Sequence, residues 1–257
     1  MKGVYAMRVR KAGKVTDGLW YLGREESGVY CLEGRDGAML INGGLTFVLP
    51  DVLEQMKTFG IDAGKIQKFL ILHSHFDHTG IVPYFKRTWP GIEVLASAPA
   101  WKIFAMPKAI EIMNAYSRMS AQLTGDEDRL KAYDPDWRDD ITGTAVGEGD
   151  VIDLGGMTVQ IFDTPGHTNC SITAYEPSIK ALFPSDGGGI PFDDICFPSM
   201  NTNTIQYLES LEKLNPLPVR CYCADHYGFI TGDEAAGFVE QTSIEGRRWK
   251  VELEDCY

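Results

Sequence analysis

No stretch of this 257-residue chain reaches the roughly 18 uninterrupted apolar residues that a membrane-spanning helix needs. No membrane partner is therefore expected. The opening Met1 to Lys14 is basic, with Lys2, Arg8, Arg10, Lys11 and Lys14, but no apolar segment follows it. A signal peptide is thus not expected, and a cytoplasmic location is the default. Basic residues are in the minority: 24 Lys and Arg face 36 Asp and Glu, a formal charge of −12. Such a surface repels phosphate backbones and argues against nucleic acid as a partner. The six cysteines, Cys31, Cys170, Cys196, Cys221, Cys223 and Cys256, follow no regular spacing. A chain this long needs no disulfide staples, so they read as reduced thiols. Cys221 and Cys223 would share one face of a strand, which makes half a zinc site at best. Repeats, low-complexity tracts and linkers are also missing, which favours one domain over 1–257.

What is there is a 44% apolar content, enough for a full core, arranged in short runs. Leu19–Leu22, Val29–Glu33 and Met39–Asn42 read as strands bounded by Gly and charged residues. Pro50 opens a helix over Asp51–Phe59, with Val52, Leu53, Met56 and Phe59 at helical spacing and Gly60 at the C-cap. The continuous run Lys68–His73 predicts a strand buried on both faces. Val94–Ala96 is another strand. Residues 99–140 differ. Trp101, Ile103, Phe104, Met106, Ile110, Met113, Tyr116 and Met119 lie in helix-like segments, followed by the acidic stretch Asp126–Asp140. Met and aromatic residues at this spacing most often simply pack helices together; the alternatives are a cap over a site, with Met113 and Tyr116 lining it, or a contact with a second copy of the chain in a homodimer. Strands return at Val151–Leu154, Met157–Phe162, Ile172–Tyr175, Ala181–Phe183 and Val219–Cys223, the first two joined by a Gly155-Gly156 turn. A helix is expected over Thr204–Leu214, stopped by Pro216, and a last one from Asp233 towards Trp249. The order suits an α/β sandwich with helices outside.

Only five histidines are present, and three sit in His73-Ser-His75-Phe-Asp77-His78, directly after the buried run. In an extended segment residues i and i+2 share a side, so His73 and His75 can converge on one ion. Asp77 and His78 follow as the chain turns and can face a second. His167 lies in Asp163-Thr-Pro-Gly-His167-Thr, Asp186 precedes three glycines, and His226 follows the strand Val219–Cys223. Each comes just after an expected strand, so one sheet edge can gather them. Imidazole and carboxylate donors suit zinc, iron or manganese.

These motifs, with Thr164-Pro-Gly-His167-Thr168, Ser185-Asp186-Gly187 and Asp225-His226-Tyr227-Gly228, resemble those of the metallo-β-lactamase superfamily over nearly the whole chain. The resemblance implies an α/β, four-layer αββα sandwich with two divalent ions at one edge of the paired sheets. It assigns His73, His75 and His167 to one ion, and Asp77, His78 and His226 to the other. Asp186 bridges them, and Asp77 doubles as the catalytic group. The chain departs from relatives in several ways. Asn42 stands where the family often has Asp. Flavodiiron proteins carry Glu in place of His75 and a trailing flavodoxin domain. Glyoxalase II enzymes add a C-terminal helical domain, for which little room remains after His226. Metallo-β-lactamases proper are usually secreted and lack the bridging Asp.

The expected chemistry is hydrolysis of a small ester, lactone or thioester, with phosphodiesters next and Tyr227 beside the pocket. Two irons would instead permit oxygen or nitric oxide reduction, or sulfur oxidation, with an external rubredoxin-like electron donor. A metal-binding sensor without turnover is the third class.

Overall fold

The computed structural model describes residues 7–193 and 195–254. In chain order the elements are β1 (Met7–Val9), β2 (Gly13–Thr16), β3 (Leu19–Arg24), β4 (Ser27–Glu33), β5 (Ala38–Ile41), α1 (Leu49–Phe59), β6 (Ile66–Leu70), α2 (Val82–Thr88) and β7 (Glu93–Ala96). The expected insertion contains α3 (Ala98–Phe104), α4 (Pro107–Thr124) and α5 (Glu127–Leu130). Then come β8 (Gly143–Ala145), β9 (Val151–Asp153), β10 (Thr158–Asp163), β11 (Ile172–Glu176), β12 (Ala181–Phe183), α6 (Thr204–Leu214), β13 (Cys221–Cys223), β14 (Phe229–Thr231) and α7 (Asp233–Glu254). None of these helices is long and apolar enough to cross a membrane.

The strands form two seven-stranded sheets, β2-β3-β4-β5-β6-β7-β8 and β1-β14-β13-β12-β11-β10-β9. Period-two burial explains why they pack face to face. In β4, Tyr30 and Leu32 join the core between the sheets, while Val29 and Cys31 join the layer under α1, α2 and α4. Around β6 the same alternation puts Phe69 and Ile71 on the helix side, and Leu70 and Leu72 between the sheets. The run had to be apolar throughout because both faces are covered. The second sheet is covered outside by α6 and α7 through Tyr207, Leu211, Tyr222 and Phe238. Three apolar layers separate four structural ones, the αββα sandwich expected.

Boundaries shift by a few residues. The strand expected over 68–73 is Ile66–Leu70, and its continuation leaves the ladder to reach the other sheet, Leu72 O accepting from Ile172 N at 2.9 Å. Cys31, Cys170, Cys196, Cys221 and Cys223 are buried free thiols. Cys221 and Cys223 lie in the core between the sheets. Cys256 lies outside the described residues.

The insertion is part of the outer helical layer. Phe104, Met113, Ala121 and Trp137 pack into the core under the first sheet. Met113 is 5% exposed, so it offers no surface to a substrate, contrary to the sequence expectation. An amphipathic helix has one face for the core, and Met113 is on it.

Candidate metal centre

Topology gathers the ligands. β12 and β10 each run antiparallel to β11, and β13 runs parallel to β12. The C-terminal ends of β10, β12 and β13 therefore lie at one edge, and His167, Asp186 and His226 follow them. The continuation of β6 crosses to the start of β11 at that same edge, bringing His73 and His75. Asp77 and His78 sit on a single 3-10 turn, Phe76–His78, after His75 in extended conformation. Gly166 has φ +131°, and a Cβ there would stand 2.3 Å from the Tyr207 backbone, so only glycine lets the His167 turn lie against α6.

Ligand atoms of His73, His75 and His167 lie within 4.8 Å of one another, as do those of Asp77, His78 and His226, and of His73, His78 and Asp186. His75 Nδ1 is 3.2 Å from His167 Nε2, and His78 Nε2 is 3.2 Å from His226 Nε2. Two nitrogens each about 2.0–2.1 Å from a tetrahedral zinc would be about 3.3 Å apart. Asp186 stands between the triads. Its Oδ2 is 3.4 Å from His167 Nε2 and 3.5 Å from His78 Nε2, and its Oδ1 is 3.6 Å from His226 Nε2. Asp77 Oδ2 is 3.6 Å from His78 Nε2 and 3.7 Å from His226 Nε2.

The outer nitrogens are already occupied. His73 Nδ1 donates to Ser185 Oγ at 3.0 Å, and Ser185 in turn donates to Asp225 Oδ2. His78 Nδ1 donates to the same carboxylate oxygen at 3.0 Å. His167 Nδ1 donates to the Ser199 carbonyl at 2.9 Å, and His226 Nδ1 to the Glu26 carbonyl at 2.7 Å. With Nδ1 committed as a donor, Nε2 is the nitrogen that each of these rings leaves facing inward for a metal. His73 Nε2 and Asp186 Oδ1 are buried with no hydrogen-bond partner at all. Orphaned acceptors of this kind cost free energy unless something binds them. A cation fits both.

Electrostatics agree. Burial, with repulsion from His78 and His167, holds His73 well below the usual imidazole range. Burial and repulsion from His167 lower His75, and burial lowers His167. His78 goes the other way. Burial opposes its charge, but Asp186 and Asp77 outweigh it and raise this imidazole well above its usual value. Burial would raise Asp186, yet His78 and His226 hold it well below the usual carboxylate range. Three imidazoles thus favour their neutral form, with lone pairs free for a metal, beside a buried carboxylate that keeps its charge.

A sequence profile of the metallo-beta-lactamase superfamily matches residues 23–226, a span that contains all seven of these side chains. This chain belongs to the metallo-beta-lactamase superfamily. Among curated relatives, a hydroxyacylglutathione hydrolase of Xylella fastidiosa (strain M23) is 28% identical over 182 residues, 70% of this chain and 54% of that protein. The chain spans about half the length of such relatives. Among solved structures, an archaeal metallo-beta-lactamase superfamily protein from Sulfolobus tokodaii superposes with a TM-score of 0.68 at 20% identity, over 89% of this chain and 85% of that one. Rubredoxin oxygen:oxidoreductase from Desulfovibrio gigas reaches 0.68 at 18% identity, over 91% of this chain and 61% of that one. At these identities the structures establish a shared sandwich and nothing finer.

Within this superfamily chain, Asn42 proves to be a supporting residue. Its φ of 65° lets Nδ2 reach the Gly28 carbonyl at 2.6 Å while Oδ1 lies 3.2 Å from His78 Nδ1. On the same outer side of His78, Asp225, buried behind the centre, accepts from Nδ1 at 3.0 Å. Sequence reasoning gave Asp225 and Ser185 no role, although both sat in quoted motifs next to a ligand. Tyr227 stands beside His226, ring centroids 6.5 Å apart, with Phe192 at 5.0 Å on its other side. Tyr116 is exposed and packs on Phe76, which separates His75 from Asp77.

Proposed function

We propose that this chain is a binuclear metal-dependent hydrolase acting on a small ester, lactone or thioester. The observation that carries it is the convergence of five imidazoles and two carboxylates around two inward-facing orphaned atoms. His73, His75 and His167 would hold one divalent ion, and Asp77, His78 and His226 the other, with Asp186 shared between them. Zinc and iron both suit these donors, and manganese is tolerated. The relatives' name, hydroxyacylglutathione hydrolase, moves thioesters to the front of the substrate list.

Bound there, two cations would supply Lewis acidity, lowering the pKa of a water and polarising a carbonyl. The chain's own groups do the rest. Asp77 is partly exposed, and its carboxylate is aimed at the His78–His226 side. It orients the attacking water, accepts its proton, and returns that proton to the departing alkoxide or thiolate as the acyl bond breaks. Asp186, fully charged in its buried setting, holds the two triads at fixed separation. Ser185 and Asp225 keep His73 and His78 in the ligating tautomer. Phe76 and Tyr116 give an apolar wall on one side, and Tyr227 with Phe192 stands on the other.

The test is turnover of an ester, thioester and phosphodiester panel by metal-loaded protein, set against Asp186→Ala and Asp77→Asn. Thioester or ester hydrolysis falling at least about 100-fold in Asp77→Asn is expected, because general acid–base catalysis contributes on that scale. A coloured, iron-loaded protein that consumes oxygen and cleaves nothing in the panel would overturn the hydrolase reading.

A further inference from the structure

The 18 residues of α4 put Met113 and Ala121 in the core, yet a second, outward face of the helix is apolar too. Ile112, Tyr116, Met119 and Leu123 are 43%, 47%, 46% and 80% exposed. Their spacing, four, three, four, is the a/d seam of a coiled coil, running along most of the helix's length of about 27 Å. Seams of this kind seldom face water. The flanks are small, Ala115 and Ser120, which lets another helix approach closely.

We infer that α4 pairs with α4 of a second copy of this chain, antiparallel across a two-fold axis. Charge decides the partner and the direction. The chain carries −12 overall, a net charge that opposes self-association. On α4 the only charged residues are Lys108, Glu111 and Arg118, two basic against one acidic, so this face escapes that repulsion. Interface cores are depleted of charge in the same way. Setting Tyr116 opposite Met119 of the second copy places Ile112 opposite Leu123. Lys108 then falls at the far end of the other helix, where Glu127 and Asp128 are exposed. Their present partners, Glu111 for Lys108 and Lys131 for Asp128, are exposed i,i+3 neighbours that hold them weakly. A parallel pair would instead put Lys108 against Lys108. Antiparallel packing also opposes the two helix dipoles favourably.

The interface would touch the metal centre. Tyr116, near the two-fold axis, packs at 5.3 Å on Phe76, which lies between two of the proposed ligands. Met119 of the second copy would cover the outer face of that tyrosine and close the apolar wall.

Sedimentation equilibrium of the full chain over a concentration series tests this. A dimer is expected. Leu123→Lys should raise its dissociation constant roughly tenfold or more, with the circular dichroism spectrum unchanged because the residue is exposed. Lys108→Glu should weaken it as well, and adding Glu127→Lys with Asp128→Lys should restore it. A wild type monomeric throughout, or a dimer indifferent to Leu123→Lys, overturns the proposal. Failure of the charge reversal to restore pairing overturns the antiparallel arrangement. A monomer that floats with neutral phosphatidylcholine vesicles through this face would make a lipid surface the occupant instead.

Discussion

Asp225 supports two of the proposed ligands at once, His78 directly and His73 through Ser185. One buried carboxylate therefore fixes the tautomers of a histidine from each triad. Asp225→Asn keeps its shape and removes its charge. Loss of such outer partners typically weakens metal binding about 10–100-fold, and that is the expected drop for this variant. Competition with a chromophoric chelator measures it, and circular dichroism checks that the fold persists. Unchanged affinity would mean that the histidines are held by packing alone. The converging histidines and aspartates were legible from the sequence because their chemistry lies in residue type: nothing about packing calls for three histidines and an aspartate at a strand end. Asp225 and Ser185 were not, because an aspartate or serine beside a ligand acquires its role only when the β12 and β13 ends come together.

At the scale of elements, the corner between α4 and α5 is pinned by charge. Arg24, at the end of β3, forks onto Asp126 at 2.7 and 2.8 Å and also reaches Asp51 on α1 at 2.7 Å. Arg129 joins both carboxylates. The Arg24 hydrogen bonds hold Asp126 far below the usual carboxylate range, against the opposing effect of burial. A depressed carboxylate contributes its full stability above the unfolded value of about 4 and loses it as pH falls towards the folded value. Asp126→Asn should thus destabilise the protein by about 1 kcal/mol at neutral pH, because a buried carboxylate loses charge-assisted bonds to two partly exposed arginines. It should also show a shallower loss below pH of about 4. Urea unfolding of both proteins across that range decides it.

Gly166→Ala tests a second joint between elements. The added methyl meets the Tyr207 backbone, so His167 should shift and metal occupancy fall, by elemental analysis, while the outer helices remain folded.

The same scale shows what periodicity can and cannot reveal. The helices over 51–59 and 204–214 were readable because each has one apolar stripe and a clear stop. The strands β1, β2, β8 and β14 escaped notice: at three or four residues alternation does not register, and they lack the apolar run that marked the equally short β5 and β12. For α4 the pattern named the apolar residues but not their faces. Met113 went to the core and Tyr116 to the surface, a choice set by which side meets the sheet.

At the scale of the whole molecule, two sheets pack through one core, and each carries its own helical layer. The centre draws on both sheets: His73, His75, Asp77 and His78 follow β6 in one, and His167, Asp186 and His226 follow strands of the other. Bound cations would consequently clamp the sandwich shut along one edge. Removing them with a chelator should lower the thermal midpoint, since a ligand that binds only the folded state stabilises it by mass action. The effect should vanish in a His78→Ala, His167→Ala double variant, which lacks a ligand from each triad.

The central claim, a centre for two cations, is met most directly by counting them. Elemental mass spectrometry of protein purified without added metal, and without air, should find about two ions of zinc or iron per chain. Finding none, with none taken up from zinc, iron or manganese solutions, would contradict the account.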